Sequence, residues 1–311
     1  MTAMPETSRR QDRPMLGLSF YIANLILMIV ISSLVKELST RYPLQQILLF
    51  RFALALLPFA VLMFLSKGPS LLKTQVPATH AIRSMSGVLS IGMFFYALSA
   101  IPMAEATILV YSSPIIVTVI AVPFLGEKIG WQRTTAVIVG FVGMMVIVQP
   151  ASSTLGLGMM AGIGSAAFGA VVSVCLRKLG ETEPIEHIAV AYNGTGTVVW
   201  VTCCLLFGWV VPVAADLGML VALGCVAMVQ QYCLTTSFRF GEASMLAPFE
   251  YISLVLAAIS GYMFWGEIPN FTTWAGAGII VASGLFMIHR EAALKRESKQ
   301  PVTESETLPG V

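Results

Sequence analysis

The sequence predicts an all-α integral membrane protein: ten transmembrane helices in two inverted five-helix repeats. Three observations lead there. The 311-residue chain is 57% hydrophobic and only 11% charged, against about 25% charged in a soluble domain, so it cannot cover a water-facing surface. Its apolar segments are long, continuous and not alternating, which implies helices rather than barrel strands. And one stretch is written twice. Phe124-x-Gly126-Glu127 recurs as Phe264-x-Gly266-Glu267 at an offset of 140, and Lys36-x-Leu38 with Pro43 recurs as Arg177-x-Leu179 with Pro184 at 141. Glu105-Ala106-Thr107 finds Glu242-Ala243-Ser244, and Gly143 finds Gly284, once small gaps are allowed. Repeats of this length point to a duplicated architectural unit.

A span needs about 20 mostly apolar residues. The first runs over 15–36, behind Arg9, Arg10 and Arg13. That start resembles a signal peptide, but no small-x-small cleavage site follows, so a retained helix is expected. The second, 44–66, opens after Arg41-Tyr42-Pro43 and closes at Lys67-Gly68-Pro69; the third, 77–98, closes before Ile101-Pro102. The fourth, 103–125, closes on Phe124-x-Gly126-Glu127, and the fifth, 131–149, on Gln149-Pro150. The sixth, 156–176, carries Gly158-xxx-Gly162 with Ser165 and Gly169, a smooth face for helix packing. The seventh covers 187–210, the eighth 217–238, the ninth 243–265 and the tenth 272–289, with Pro269-Asn270 between the last two. The expected organisation is therefore a cytoplasmic tail 1–14, a first repeat 15–150, a second repeat 155–290, and a cytoplasmic tail 291–311. Both tails are polar and too short to fold alone.

Lys and Arg fix the orientation. With the N-terminus in the cytoplasm, that side holds 14 of them and the opposite side only Lys36 and Arg41, while Arg51 and Arg83 stay inside spans. Both termini are thus expected in the cytoplasm. Five spans per copy, an odd number, start the second copy from the other side, which inverts it. Inverted repeats are frequent in secondary transporters, with the binding site near the midplane between halves.

The order of the motifs resembles the ten-helix EamA branch of the drug/metabolite transporter superfamily over residues 15 to about 290. The matching pieces are Phe50-Arg51-Phe52, Arg83, Pro102-x-Ala104-Glu105-Ala106, Leu125-Gly126-Glu127, Pro248-Phe249-Glu250-Tyr251 and Phe264-x-Gly266-Glu267-x-Pro269. The resemblance implies a transporter in the inner membrane, from a group whose members export amino acids and drugs or import metabolites such as S-adenosylmethionine or riboflavin. It does not carry a substrate with it.

No enzyme is expected. There is no P-loop, no HExxH and no nucleophile elbow, and His80, His187 and His289 are isolated. The chain has two aspartates, Asp12 and Asp216, too few for a cluster of acids at the membrane surface. No catalytic residue, cofactor or metal site is assigned. Cys175, Cys203, Cys204, Cys225 and Cys233 lack metal-ligand spacing and read as small packing residues. Without a nucleotide site, an ion gradient or the substrate's own gradient must drive transport. The expected partners are a small-molecule substrate and the lipid bilayer, with no nucleic acid; a homodimer stays open. The rival from another class is a membrane-embedded scaffold or lipid-interacting protein without transport.

Ionisable residues at membrane depth are the best pointers to a site, because each is costly in lipid. Glu250, in the ninth span after Pro248, is the carboxylate well inside a span. It could bind a substrate amine or carry a coupling proton; its bland alternative is a structural partner for a buried arginine. Arg83 enters at a similar depth and is the expected mate of Glu250. Arg51 lies in the outer half of the second span and could meet an anionic substrate group, or snorkel to headgroups. Pro114 and Pro248 free backbone carbonyls or simply kink their helices. Asn24, Tyr111, Tyr192, Gln230, Gln231 and Tyr251 complete the candidate set of substrate-binding or coupling residues. The Phe-x-Gly-Glu ends read mainly as structure: a glycine that lets helices approach and a glutamate that satisfies nearby donors.

Overall fold

A computed structural model describes residues 14–66, 74, 76–113, 116, 131–148, 156–179, 183–240 and 247–297. These residues form ten α-helices: α1 (Pro14–Leu38), α2 (Leu44–Ser66), α3 (Pro77–Ala100), α4 (Met103–Val110), α5 (Trp131–Val148), α6 (Leu157–Leu179), α7 (Ile185–Phe207), α8 (Ala214–Phe240), α9 (Ile252–Trp265) and α10 (Phe271–Glu297). A 3-10 turn over Ala247–Tyr251 leads into α9. Five helices are long and apolar enough to cross a membrane, and four more carry shorter apolar stretches. Helices are what lipid permits, since each backbone N–H finds its carbonyl within the segment. Large apolar side chains such as Leu57, Val61, Leu205, Val255 and Phe286 face outward, the surface that hydrocarbon covers.

Three boundaries differ from the sequence expectation. The fourth span, expected over 103–125, is interrupted early: α4 ends at Val110 and the chain turns at Tyr111 and Ser112. The ninth span does not begin as an α-helix: Pro248 sits in the 3-10 turn, and regular α-helix starts at Ile252, as a residue without an N–H disrupts the helical ladder. The last helix runs on to Glu297, past the 289 expected, because Glu291, Ala292, Ala293, Leu294 and Lys295 are good helix formers. The end of the fourth span, Phe124-x-Gly126-Glu127, and Pro114 lie outside the described residues.

The helices pair across the two repeats. α3 packs along α6, α1 along α8, α2 along α7, α5 along α10, and α4 against α9. If α1–α5 correspond to α6–α10, the pairs α2/α7, α4/α9 and α5/α10 map onto themselves, and α1/α8 maps onto α6/α3. Two further sets of pairs obey the same exchange: α2/α8 with α7/α3, and α1/α9 with α6/α4. This is the contact pattern of a pseudo-twofold axis. The self-paired helices are antiparallel. Gln46 at the start of α2 exchanges two hydrogen bonds, of 2.8 and 3.1 Å, with Val210 beyond the end of α7. Ser283 of α10 donates to the Ala136 carbonyl near the start of α5. Equivalent helices that run in opposite directions make the repeats inverted.

Polar contacts define the two ends of the bundle. At the end termed outer here, Arg41 meets Asp216 at 2.6 Å, and Tyr42 donates to the same carboxylate at 2.8 Å. At the inner end, Thr74 donates to Glu183. Between the ends, the largest core cluster is built on Ile31, Val35, Phe52, Phe95, Leu98, Met103 and Leu223, from helices of both repeats.

Candidate functional site

A cavity of about 130 Å³ lies where α1, α3, α4, α6 and α9 converge. Met28, Ile29, Ile91, Phe94 and Val110 give it apolar walls, and Ser32, Ser90, Thr107, Tyr111, Ser165 and Ser253 supply hydroxyls. Several of those hydroxyls already hold backbone carbonyls. Ser90 donates to the Ser165 carbonyl and Ser165 to that of Ser90, each at 2.8 Å, and Thr107 donates to Met103 at 2.7 Å. Their oxygens keep lone pairs for a donor on a bound solute.

Glu250 is not on the cavity wall but is tied to it through Ser253. It stands in the 3-10 turn three residues before Ser253, whose hydroxyl donates to the Glu250 carbonyl. Its carboxylate accepts the Tyr21 hydroxyl of α1 at 2.8 Å. Tyr111, on the cavity wall, lies within electrostatic reach of the same carboxylate. The turn matters here: it opens the helix at the membrane-embedded carboxylate. Tyr251, the next residue, is half-buried and rests against Gly284 of α10, whose missing side chain leaves room for the phenol.

Beside the cavity, Gln230 of α8 donates to Asn24 of α1 at 2.6 Å, and both are buried. The repeat gives this pair a counterpart. Residue 24 plus 141 is Ser165, and 230 minus 140 is Ser90, so the two polar pairs occupy equivalent places in α1/α8 and α6/α3. Gln231 is half-buried and makes no described contact with this set.

The expected Arg83–Glu250 pair is not formed. Arg83 points to α7, where its guanidinium lies 4.2 Å from the Tyr192 ring centroid, while Glu250 faces α1. The two residues share a depth, but depth does not fix the direction a helical residue faces; Arg83 lies on the side of α3 that packs on α6 and α7. Arg51 is buried on α2, 4.9 Å from the Phe52 ring and 5.6 Å from Phe95, and does not snorkel. The nine candidates thus fall into Tyr111 on the cavity wall, Glu250 and Tyr251 in the turn that leads to Ser253 of that wall, a flanking pair (Asn24, Gln230), an aromatic–cation group (Arg83, Tyr192), Arg51 alone, and Gln231 apart.

Three features escaped the sequence. Tyr21 is one tyrosine among eight, and nothing in its neighbours marks it as the donor to Glu250. Of the serines on the cavity wall, Ser165 reads in the sequence as part of a packing face and the others carry no mark; the repeat offset applied to Asn24 and Gln230 finds Ser165 and Ser90. The third is a clasp at the outer end. Lys36 pairs with Glu267 and donates to the Ile101 carbonyl at 3.2 Å. The other Glu267 oxygen accepts the Met103 N–H at 2.9 Å. One ion pair thus holds the ends of α1 and α9 and the α3–α4 connection together. Gly266, with φ of +64°, closes α9 in a left-handed turn and swings Glu267 back. In this copy of the motif the glycine serves a turn rather than close helix approach.

Comparison with known proteins follows the same lines. The EamA-like transporter family matches residues 15–149 and again 156–289. The S-adenosylmethionine uptake transporter of Rickettsia bellii is 29% identical over 279 residues, covering 89% of this chain and 94% of its own. The pseudopaline exporter CntI of Pseudomonas aeruginosa is 33% identical over 256 residues, covering 82% and 89%. The riboflavin transporter of Rhizobium johnstonii is 31% identical over 232 residues, covering 75% and 76%. A solved crystal structure superposes with a TM-score of 0.60 at 19% identity, over 92% of this chain and 100% of that one, which speaks to the fold alone.

Proposed function

We propose a working cycle for this chain, which belongs to the EamA-like transporter family. It is a multi-pass membrane transporter of small metabolites, not an enzyme. The cycle is alternating access around the cavity between the repeats, and Glu250 is its coupling group. The solute is an organic metabolite of amino-acid-like or S-adenosylmethionine-like character, with a cationic or hydrogen-bond-donating group for the carboxylate. The protein sits in the inner membrane with both termini in the cytoplasm, as the distribution of Lys and Arg favours.

One observation carries this reading: a carboxylate at membrane depth, held by a single described tyrosine, in the turn that leads to Ser253 on the wall of a hydroxyl-lined cavity at the pseudo-twofold interface. A buried carboxylate must be neutral, paired or hydrated. Tyr21 supplies one hydrogen bond and no charge, so the site has room for a proton or a cation. At about 130 Å³ the cavity is smaller than the ~300 Å³ at which pockets for small organic ligands begin. A solute therefore requires the helices around it to part. The Lys36–Glu267 clasp closes the outer end in the conformation described; its release is the step that would open that end.

The test is flux. Purified protein in liposomes with an imposed pH gradient should accumulate at least one member of a panel of amino acids, S-adenosylmethionine, riboflavin and amino-carboxylate chelators. Absence of protein-dependent flux for the whole panel, with the protein folded and inserted, would favour a scaffold or lipid-interacting role instead.

A further inference from the structure

Arg83 lies on α3 about 10 Å inward of the cavity, seven residues from Ser90 at ~1.5 Å each. Arg83, Gly87, Ser90 and Phe94 follow the i, i+4, i+7, i+11 spacing of a single helix face. The Tyr192 ring covers Gly87: a Cβ there would meet it at 2.8 Å. One turn inward, the Arg83 guanidinium stacks on that ring. Arg83 is 7% exposed, and its Nε and Nη1 have no acceptor.

An arginine stays charged at any physiological pH, and a buried unpaired cation is strongly unfavourable. The nearby acid is committed elsewhere. Glu183 accepts from Thr74 and from His187 Nδ1 at 3.0 Å, and His80 Nε2 stands 3.7 Å away. No carboxylate pairs with Arg83 among the described residues. The surplus of donors extends further. Ser84 Oγ, on the next residue, and the ring nitrogens of His80, one turn from Arg83, are also buried without a hydrogen-bond partner, His80 keeping only its 3.7 Å approach to Glu183. A buried cation with a hydroxyl and an imidazole N–H near it in the chain lacks an acceptor, and an acceptor with several lone pairs completes it.

We propose that Arg83, with Ser84 and His80, forms an oxyanion-binding site between the inner ends of α3 and α7. Its ligand is a carboxylate or phosphate group, borne either by a small solute or by a lipid headgroup. Tyr192 holds the guanidinium plane by stacking and leaves its edges to the anion. If the group belongs to the transported solute, the site deepens the transport reading by adding an anion station inward of the cavity, at the depth of Glu250 but on the α7 side of α3. The site itself is a matter of binding, not flux, so a failed titration and a failed flux assay are distinguishable.

The experiment is thermal unfolding of the full-length protein in maltoside micelles, titrated at constant ionic strength with sodium succinate, sodium phosphate or sodium chloride. Succinate or phosphate should raise the unfolding temperature as a saturating function of concentration, and chloride should do so less. Arg83→Gln should weaken the apparent affinity about ten- to a hundredfold, the range expected for loss of a charge-assisted hydrogen bond. Arg83→Lys should keep part of it, and Ser84→Ala should weaken it less than Arg83→Gln. Without anion, Arg83→Gln should melt no lower than the wild type, because the substitution removes an uncompensated charge; a purely structural arginine would give the opposite. A second arm adds phosphatidylglycerol. An Arg83-dependent shift with the lipid but not with the free anions assigns the oxyanion to a headgroup. Equal responses of wild type and Arg83→Gln in both arms, or chloride acting as well as phosphate, would overturn the proposal.

Discussion

Lys36 and Glu267 are only 13% and 19% exposed, and each has a second partner besides the other. Removing one therefore strands the rest: without Lys36, Glu267 keeps the Met103 N–H but loses its charge partner. Breaking a buried pair from one side costs about 3–5 kcal/mol, and replacing both partners together costs much less. At this partial exposure Lys36→Met or Glu267→Gln should each lower stability by roughly 2 kcal/mol, and the double substitution by less than the sum. Thermal unfolding of the four proteins in a double-mutant cycle checks this; strict additivity would mean that the two side chains do not interact. Glu183 gives a pH test at the same scale. It lies outside the spans, and hydrogen bonds from Thr74 and His187 hold its carboxyl below the usual range of about 4.5. A depressed acid contributes stability above its unfolded pKa and loses it as pH falls through the lower folded value. The gap in unfolding temperature between wild type and Glu183→Gln should thus be full near neutral pH and close as pH falls below about 4.5. A gap that widens on the acid side would contradict it.

At the scale of elements, the closest approach of helices is set by glycine. On α10, a Cβ at Gly276 would stand 2.4 Å from Ile147 Cγ1 and 2.7 Å from the Gly143 carbonyl of α5. A side chain can turn away from such a contact, but a backbone oxygen cannot. Gly276→Ala should therefore push α5 and α10 apart and cost about 1–3 kcal/mol, read as a lower unfolding temperature in micelles; an unchanged value would show that the two helices slide freely. Elements were the most legible part of the sequence. Span lengths follow from bilayer thickness, and most connections announce themselves through Pro, Gly and charge. What stayed hidden was where side chains point. Depth along a helix can be counted from residue numbers, and so Arg83 and Glu250 were matched. The rotation of each helix about its axis is decided by packing, which sends Arg83 to Tyr192 and Glu250 to Tyr21. Pro248 marked a disturbance in the ninth span, yet its form, a 3-10 turn ending at Tyr251, depends on neighbours that a single segment does not reveal.

For the whole molecule, the repeats are units of sequence and not separately packed bodies. Every dominant helix pair joins one repeat to the other, so the cavity and its surrounding polar pairs exist only when both halves are present. The duplicated motifs made the inversion legible, because five spans per copy reverse direction. They did not reveal that the copies interlock, since interlocking rests on contacts between residues about 140 apart in either register. The proposal that both termini lie in the cytoplasm rests on the charge distribution. A reporter fused to the C-terminus should register the cytoplasm, and an external location would undo both the topology and the inverted repeat. The decisive measurement concerns that carboxylate. In proteoliposomes with an imposed pH gradient, Glu250→Gln should lose accumulation of the transported solute against its gradient while keeping solute–solute exchange, because a neutral amide imitates the protonated acid and can no longer cycle its charge. Accumulation by Glu250→Gln at the wild-type level, with the same dependence on pH, would contradict the coupling role and leave Glu250 as a structural partner of Tyr21.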